Sequence, residues 1–525
     1  MATVDTASAG LVPFDVTTVL LTATLGLVVY FVYSLFKPTE EWEQYGVKQP
    51  QLPRLGFVDF RAGFKKLLEE YGDTVGLKRA NLQLLTRDLD LLKEILVKDF
   101  NYFVDRSTAL VSNTSITSSL FFAKRQHWKK YRRIMSPSFS TGKLKVVGKT
   151  VEETALTLTR FFEECARKDQ LIPIKETTGQ YTSQIIAKTA FGFSTDCIGK
   201  EDDQFTYYSK HIFKIRSKIA RYFLVFLLRF PIVHRFLVKT LKLEYFDPVY
   251  QNADQYFRSV LSTSVKHREQ VQREGKKNPT DFLQQLVNAK TGSQTNGERT
   301  STGLANGHGP EVSQSLTEEE LVAQSLIIIF AAFETTATTL QMALYLLAKH
   351  PDIQEKLYEE IQSVVTSQSP SHEELGQLTY MEQVINETLR LYPPAPLITR
   401  KASETRTYGS ITIPKGADVI VPIGMILTDP KHFPDPEKFD PDRFTEENKA
   451  TRNPMAFMPF GQGPRTCIGM RLAYLELKMA LVHLLRKVKV EMNERTEPKK
   501  GEDVVVSSQG LIVIDKPIKL ACKLR

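Results

Sequence analysis

Cysteine is scarce in this sequence, which has only four among its 525 residues. The four, at positions 165, 197, 467 and 522, form neither a C-x-x-C pair nor a zinc-ligand spacing. So few thiols in so long a chain argue against a disulfide framework. We therefore expect the globular part to fold in a reducing compartment.

The chain also lacks an internal repeat, and no basic run alternates with aromatic residues as in a nucleic-acid-binding module. Its net charge of +9 favours an acidic protein surface or an anionic membrane as partner, and we expect no nucleic acid. The length exceeds the usual size of one core. However, the one linker-like stretch, 290–315, is rich in Gly, Ser, Thr and Asn, and we interpret it as a mobile loop within one domain.

Charged residues are absent from 16 to 36, an apolar run of about 20 residues that is long enough to span a bilayer as a helix. Tyr30 and Tyr33 lie toward one end, as interfacial aromatics do, and no A-x-A-like cleavage site follows. A buried core helix is the alternative interpretation. We predict a lumenal tail at 1–15, a transmembrane signal anchor at 16–36, a linker at 37–53 and a cytosolic globular domain at 54–525.

Helical periodicity dominates the globular part, with weak strand-like segments between about 57 and 100. Thr317 and Glu320 form a capping box. The nearly continuous apolar run at 321–347 that follows predicts a helix buried on almost every side. Glu334 within the run argues against a second transmembrane span, because an acid facing lipid is costly.

Strand-like alternation returns near the C-terminus, where segments 504–506 and 511–514 predict a hairpin with its tip at 507–510. The fold class expected from these patterns is mainly α with small β-sheets (α+β). A long central helix crosses the core.

One of the four cysteines lies in a glycine-rich run. Phe460, Gly463, Arg465, Cys467 and Gly469 match the spacing F-x-x-G-x-R-x-C-x-G. Glycine lets the backbone turn tightly and approach a flat ligand. N–H groups at the start of the next helix, together with the nearby arginine, would stabilise a thiolate. The run resembles the haem-thiolate loop of the cytochrome P-450 family; the alternative is a small buried cysteine in an ordinary turn.

The resemblance extends from about residue 50 to the C-terminus. It implies the cytochrome P-450 fold, with the central helix over a haem b cofactor, Cys467 as the axial ligand of its iron and Phe460 in the cofactor site. Two strings, at 136–145 and 459–471, resemble the microsomal clan of vertebrate family-three and insect family-six enzymes.

The same resemblance implies contacts to the two haem propionates, since guanidinium groups offer fixed, bidentate cations to carboxylates. The residues that match these contacts are Trp128 and Arg132 in a W-x-x-x-R motif, Arg465, Arg400 and, as a further candidate, Arg106. The basic residues interleaved with the motif are interpreted either as a solvated face or as docking cations for an acidic electron donor. They are Lys129, Lys130 and Arg133.

Glu387 and Arg390 lie three residues apart, which alone is typical of a solvated ion pair on a helix. Arg443 follows downstream in the string P-D-R-F. The family's E-x-x-R and P-x-R-F motifs imply that these three form a buried structural triad, which locks the region presenting the cysteine loop.

The central helix carries Ala-Ala-Phe-Glu-Thr-Thr at 331–336, which resembles the family's oxygen-activation motif. The resemblance implies that Glu334 and Thr335 are catalytic and relay protons to the oxygen that the haem activates. Ala332 stands where the family more often has glycine, and it narrows the pocket slightly. The alternative is an acid capped by neighbouring threonines in a core helix.

Four segments are implied as the lining of a substrate pocket: 109–122, 327–333, 395–398 and 507–511. Their mostly apolar composition favours lipophilic small molecules. The apolar, base-containing stretch 221–235 is interpreted either as a surface segment that enters the membrane or as a buried helical hairpin.

These motifs predict a haem-thiolate monooxygenase of the endoplasmic reticulum membrane with a cytosolic catalytic domain. It is expected to use dioxygen and NADPH electrons from a flavoprotein reductase, with cytochrome b5 as a second candidate donor. Hydroxylation or epoxidation of a xenobiotic, steroid or fatty acid is expected. The alternatives are a reductase-independent isomerase of lipid peroxides and a non-enzymatic haem binder.

Overall fold

The computed structural model of the chain describes residues 16–36, 41–50, 60–78, 81–107, 115–193, 195–200, 203–211, 248–276, 279–291, 315–508 and 510–525. The α-helices in this part are α1 (Val16–Phe36), α2 (Phe60–Tyr71), α3 (Leu89–Lys93), α4 (Arg125–Met135), α5 (Thr141–Arg167), α6 (Ile174–Phe191), α7 (Gln204–His211), α8 (Pro248–Arg273), α9 (Phe282–Thr291), α10 (Glu318–Lys349), α11 (Pro351–Val364), α12 (His372–Gln377), α13 (Thr379–Leu391), α14 (Ile423–Ile426), α15 (Glu446–Thr451) and α16 (Met470–Leu485).

The strands are short. They are β1 (Thr74–Lys78), β2 (Leu82–Thr86), β3 (Ile172–Pro173), β4 (Ile398–Lys401), β5 (Arg406–Tyr408), β6 (Ile411–Ile413), β7 (Asp418–Val421), β8 (Val488–Glu491), β9 (Val506–Ser508), β10 (Ile512–Ile514) and β11 (Lys519–Leu524). The prediction of a mainly α fold with small β-sheets is confirmed.

The long apolar run forms the central helix α10, as its composition requires. The predicted capping box is present, with Glu320 N donating to Thr317 Oγ1 at 3.1 Å and Thr317 N donating to Glu320 Oε2 at 2.9 Å. Side chains on every side of α10 are buried. The helix packs along α6 and also contacts α9, α13 and α16, while α16 packs along α5. The core therefore surrounds α10.

The largest sheet has the strand order β1-β2-β7-β4, in which β2 and β7 run parallel and the other pairs run antiparallel. A second sheet has the order β3-β11-β8, and β5-β6 and β9-β10 form two-stranded pairs. In the largest sheet, Arg400 pairs with Val419 and Lys401 pairs with Asp418. Strand β4 is an edge strand of this sheet, so Arg400 and Lys401 lie at the edge of the sheet.

The C-terminal hairpin is present, but its first strand is shifted from the predicted position. Val506 pairs with Ile514 and Ser508 pairs with Ile512, so the strand occupies 506–508 instead of 504–506. The apolar Val505 that suggested the earlier start is 61% exposed. Packing against the core therefore does not determine where β9 begins. Ser507 and Ser508, which are predicted at the hairpin tip, lie in this strand.

Residues 41–50 differ from the predicted linker, because they pack against the domain. Trp42 is fully buried and its Nε1 donates to the carbonyl of Leu77 at 3.1 Å. Gly76 N donates to Lys48 O at 2.9 Å, which fixes the segment beside β1. A single large aromatic ring in a polar stretch is enough to anchor it, so the packed domain includes this segment.

Helix α1 coincides with the predicted anchor, and its described side chains are exposed. By length and composition, the one helix in the described ranges that could cross a membrane is α10, and 67% of its apolar window is buried inside the protein, as in a core helix. Helix α1 contributes a shorter apolar stretch, Leu21–Tyr30. The predicted lumenal tail, the segment 221–235 and nearly all of the predicted mobile loop lie outside the described residues.

A buried acid joins two of the central helices. Glu476 of α16 is 1% exposed, and its Oε1 finds no hydrogen-bond partner among the described residues. Burial raises the pKa of Glu476 to about 8, although a hydrogen bond with Thr336 of α10 lowers it. Tyr181 of α6 donates to the backbone carbonyl of Glu476 at 2.9 Å. The one acid of α16 thus lies where α6, α10 and α16 meet.

This acid makes stability depend on pH. Because the folded-state pKa lies above the ordinary value, the stabilisation is complete below about pH 4.5 and is lost as the pH rises toward about 8. We expect Glu476→Gln to be increasingly stabilised relative to the parent protein across that range, as measured by the thermal unfolding midpoint. The exposed-site variant Glu446→Gln should show no such trend. A midpoint difference that is constant with pH would contradict the assignment.

Candidate active site

The cysteine loop leads from a short 3-10 turn into α16. Gly463 has a φ of +75°, and a Cβ there would overlap the carbonyl oxygen of Leu96, so the close approach requires glycine. Cys467 N donates to Phe460 O, and Thr466 N donates to Gly463 O, both at 3.0 Å. These bonds close the loop and hold the cysteine immediately before the first turn of α16.

The surroundings of Cys467 act on its thiol in opposite directions. Burial by the surrounding protein raises the pKa of the Cys467 thiol, whereas the backbone N–H groups of Gly469 and Met470 and the cations Arg132 and Arg106 favour the thiolate. The side chain is nevertheless accessible. The sulfur of Cys467 is accessible although the protein surrounds it closely, so it faces an interior surface. A metal at this position would complete the stabilisation of the thiolate.

Three arginines crowd together beside the loop. Arg106 Nε and Nη1, Arg400 Nε, and Arg465 Nε and Nη1 are buried and find no hydrogen-bond partner among the described residues. Burial lowers the pKa of Arg106 to about 10 and that of Arg465 to about 9, and it also lowers the pKa of Arg400 well below its ordinary value. Mutual repulsion contributes at Arg400 and Arg465. An anionic ligand would satisfy these nitrogens and relieve the repulsion.

Helix α4 brings the W-x-x-x-R pair to the same place. Trp128 is 3% exposed and its ring lies 5.2 Å from Arg465 Cζ. Arg132 Nη1 donates to Thr466 O at 2.9 Å, and Arg465 donates to Ala123 O just before the helix. The structure thus brings together all the predicted cations and Trp128 around the cysteine loop.

The basic residues of α4 do not share one environment, so the interpretation of all three as a solvated face is wrong for Lys130, and docking by some of them stays a prediction for the other two. Lys130 is 6% exposed, and its Nζ lies 2.8 Å from Glu320 Oε2 at the start of α10. Tyr131 donates to the same carboxylate at 2.6 Å. Lys130 is therefore internal, because the acid of the capping box neutralises it, and only Lys129 and Arg133 of the three are exposed.

The donor set fits a haem, whose iron accepts a thiolate and whose two propionates are carboxylates. Cys467 would hold the iron, and the arginine cluster with Trp128 would hold the propionates. Phe460 lies 5.5 Å from the ring of Tyr474 in α16, so its ring is fixed against that helix. Ile468 packs on the apolar cluster that contains Trp128 and Phe333, which joins the loop to α10.

The oxygen-activation motif lies on α10 beside α6. Glu334 Oε1 is 3.9 Å from Lys175 Nζ, and the two side chains are 26% and 36% exposed. Thr335 Oγ1 donates to Ala331 O at 2.7 Å, and Thr182 of α6 donates to the carbonyl of Phe333 at 3.0 Å. No hydrogen bond or ion pair in the described part of the chain joins Glu334 or Thr335 to the cysteine loop.

The predicted triad is assembled in the interior. Arg390 and Glu387 are both fully buried and form two bonds, Nε to Oε2 at 2.6 Å and Nη2 to Oε1 at 2.9 Å. Arg443 Nε lies 3.4 Å from Glu387 Oε1, and Asp440 N donates to the same oxygen at 3.0 Å. Arg390 also donates to the carbonyl of Leu427 at 3.1 Å. The donors of Arg390 are thus used within the protein, where they join the helix that carries Glu387 to the chain around Leu427 and Asp440.

The segments predicted to line a substrate pocket come together in two pairs. Gln324 of α10 accepts from Leu120 N at 2.7 Å and donates to Ser118 O at 2.8 Å, which lays the described part of the first segment along α10. Residues from the other two segments, among them Leu397 and Ser507, line one apolar pocket. Residues 108–114 lie outside the described part of the chain.

Two residues near the site were missed by the sequence reasoning. Lys175 belongs to no motif, and its pairing with Glu334 depends on the packing of α6 against α10. Glu476 could have been found, since it is the one acid in the helical run 470–485 and lies nine residues after the cysteine.

A cysteine held just before a helix, beside a cluster of arginines with unused buried donors, is the site expected of a haem-thiolate protein. The family model described as Cytochrome P450 matches residues 52–521. Similar proteins include Cytochrome P450 3A41 of Mus musculus (32% identical, covering 91% of each chain), Cytochrome P450 3A27 of Oncorhynchus mykiss (32%, covering 96% of this chain and 94% of that one) and the Lithocholate 6-beta-hydroxylase of Mesocricetus auratus (31%, covering 94% of this chain and 96% of that one).

The chain belongs to the cytochrome P450 family, which confirms the predicted family and its vertebrate family-three character. It is a cytochrome P450 monooxygenase whose cofactor is haem b. The roles of the individual site residues follow from their placement and are argued below.

The buried triad gives a stability prediction. Glu387→Ala leaves Arg390 buried without its carboxylate, and we expect it to lower the free energy of unfolding by about 3–5 kcal/mol. The matched control is Glu446→Ala, which breaks an exposed i,i+3 pair with Lys449 (2.8 Å) and should change stability little. Denaturant unfolding of the haem-loaded proteins measures both. Equal effects of the two substitutions would show that the triad is not needed for stability.

Proposed function

We propose that the chain is a membrane-anchored monooxygenase that inserts one oxygen atom into lipophilic small molecules, using dioxygen and electrons passed from NADPH by a flavoprotein reductase. The observation that carries the proposal is the pairing of an accessible, cation-flanked Cys467 with buried guanidinium nitrogens that have no partner in the described residues. This pairing fits an iron porphyrin better than any ligand without both a metal and two carboxylates.

When bound, the haem supplies the activation of dioxygen. The protein's part begins with the thiolate, which the N–H groups at the start of α16 and two arginines stabilise. Arg106, Arg400 and Arg465 would orient the cofactor through its acidic edge. The close approach at Gly463 and the backbone bonds of the loop fix the position of the Cys467 sulfur, which would hold the iron.

Proton delivery is assigned to α10. Glu334 is partly exposed and lies 3.9 Å from Lys175, so it can exchange protons with solvent on the α6 side. Thr335 is the next residue, and its hydroxyl bonds back to Ala331 O, which leaves the oxygen able to accept a bond from a proton donor. The bond from Thr182 to Phe333 O fixes this turn against α6. The pair would hold and move a proton at the Thr335 hydroxyl.

The docking surface for the acidic electron donor is assigned to the exposed residues of α4. Lys129 and Arg133 are exposed, while Arg132 and Trp128 on the inner side of the same helix reach the site. The reductase is the first candidate partner and cytochrome b5 the second. Positive charge on such a face would speed association with an acidic partner at low ionic strength.

The membrane anchor is assigned to α1, whose described side chains are exposed and apolar. We place the protein in the endoplasmic reticulum membrane with the catalytic domain in the cytosol. Substrates that partition into lipid suit this location, and the apolar lining around Leu397, Pro396 and Met425 suits such molecules. One relative bears the name Lithocholate 6-beta-hydroxylase, which favours hydroxylation as the reaction.

Reduction of the purified protein under carbon monoxide should give the Soret band typical of thiolate-ligated haem. We expect Cys467→Ala to abolish that band, whereas Cys522→Ala, which removes a buried cysteine in β11, should retain it. A Cys467→Ala protein with an unchanged band would refute the ligand assignment.

With NADPH and reductase, a panel of steroids, fatty acids and lipophilic drugs should yield oxygenated products. Turnover of a lipid hydroperoxide without reductase would instead indicate the isomerase.

The proton relay predicts a separate loss. Thr335→Ala should lower product formation by about 10²-fold at nearly unchanged haem content, since proton transfer by a positioned group is typically worth that much. NADPH oxidation should continue and become uncoupled from product. Thr339→Ala is the matched control, because its hydroxyl makes the same backbone bond one turn later, to Thr335 O at 2.9 Å. Unchanged product per NADPH in Thr335→Ala would refute the assignment of the proton relay to Thr335.

A further inference from the structure

The short segment that carries Arg106 is held on both sides by β4. Lys401 N donates to the carbonyl of Asp105 at 2.7 Å, and Ser107 N donates to Thr399 Oγ1 at 3.2 Å. These bonds attach the residues before and after Arg106 to one strand. The backbone position of Arg106 therefore depends on the edge of the largest sheet.

A buried acid in the next strand completes this attachment. Ser107 Oγ donates to Asp418 Oδ2 at 3.1 Å, and Lys401 Nζ lies 3.6 Å from Asp418 Oδ1. Asp418 is 1% exposed and lies in β7, directly opposite Lys401. Its carboxylate thus bonds the segment and the strand that faces it.

The side chain of Arg106 is positioned by little else in the described part of the chain. Its Nε and Nη1 are buried without a hydrogen-bond partner, and its Cζ lies 3.8 Å above the ring of Phe121. Repulsion from Arg400, which lies on β4 itself, acts to push it away from the cluster. An arginine facing like charges needs an anchored backbone if it is to remain in the cluster.

We propose that Ser107 and Asp418 form a latch that holds Arg106 against Arg400 and thereby retains the cofactor by its acidic edge. The inference rests on the proposed function, because it takes the haem propionates as the anion. Both residues are positioning residues, since no hydrogen bond or ion pair among the described residues joins the side chain of either to Arg106, Arg400 or Arg465. Asp418 lies 311 positions from Ser107, so no local motif encodes the latch.

The test is the rate at which the haem-loaded protein loses its haem to excess apomyoglobin, followed by absorbance. Ser107→Ala removes the bond to the carboxylate, and we expect haem loss to be about tenfold faster, the change that one charged hydrogen bond is typically worth. Ser107→Thr keeps the hydroxyl and should restore the parent rate. Asp418→Asn keeps an acceptor but removes the charge, and a smaller acceleration is expected.

Ser403→Ala is the matched control. Its hydroxyl bonds Tyr102 O at 3.1 Å, so it joins the same two stretches of chain a few residues away from Arg106. We expect the parent rate of haem loss in this variant. If Ser403→Ala and Ser107→Ala accelerate haem loss equally, the bonds only stabilise the fold and the latch is refuted.

A double-mutant cycle separates positioning from general stability. In an Arg106→Ala background, Ser107→Ala should have no further effect on haem loss, because the group it positions is absent. Additive effects would overturn the proposal. A parent protein that binds no haem would refute the proposed function itself, whereas a parent that binds haem with Ser107→Ala at the parent rate would refute only the latch.

Discussion

The structure around the cysteine loop depends on one constraint, which is that buried guanidinium groups lie close together there without carboxylates among the described residues to pair with them. Arg106, Arg400 and Arg465 come from three separate parts of the chain and repel one another in a place where burial already disfavours their charged forms. Close packing of such groups is stable only if something holds each backbone in place. The loop closed at Gly463 does this for Arg465, and the edge of the largest sheet does it for Arg400.

The contrast between two sets of arginines explains why the charge is informative about function. Arg390 has two bonds to Glu387 and three to backbone carbonyls, so its donors are used inside the protein. The site arginines retain unused buried donors. Since unmade buried hydrogen bonds are costly, a fold that keeps several of them together implies a ligand, whereas a fully bonded arginine implies architecture.

The sequence predicts those parts of this arrangement that depend on residues close together in the chain. It does not predict contacts between residues that are far apart in the chain. The cysteine loop and the capping box at Thr317 are local patterns, and the structure contains both as expected. Lys130 looked equivalent to its exposed neighbours, but its environment is set by Glu320, 190 positions away. Trp42 gave a weak signal, because one aromatic ring does not change the periodicity of a polar stretch. Contacts between segments that are distant in the sequence determine which side chains are buried. Burial in turn determines whether a charged residue pairs inside the protein or faces solvent.

The two acids near the centre of α10 show the same rule at work on proton chemistry. Glu334 is a quarter exposed and has Lys175 within 3.9 Å. Glu476 contacts the same helix from α16, but it is 1% exposed and burial raises its pKa. The depth of burial therefore separates two acids that lie on or against the same helix. Thr335 and Thr336 are adjacent in sequence, yet the helix leaves the first partly exposed and turns the second into the core, where it bonds the buried Glu476.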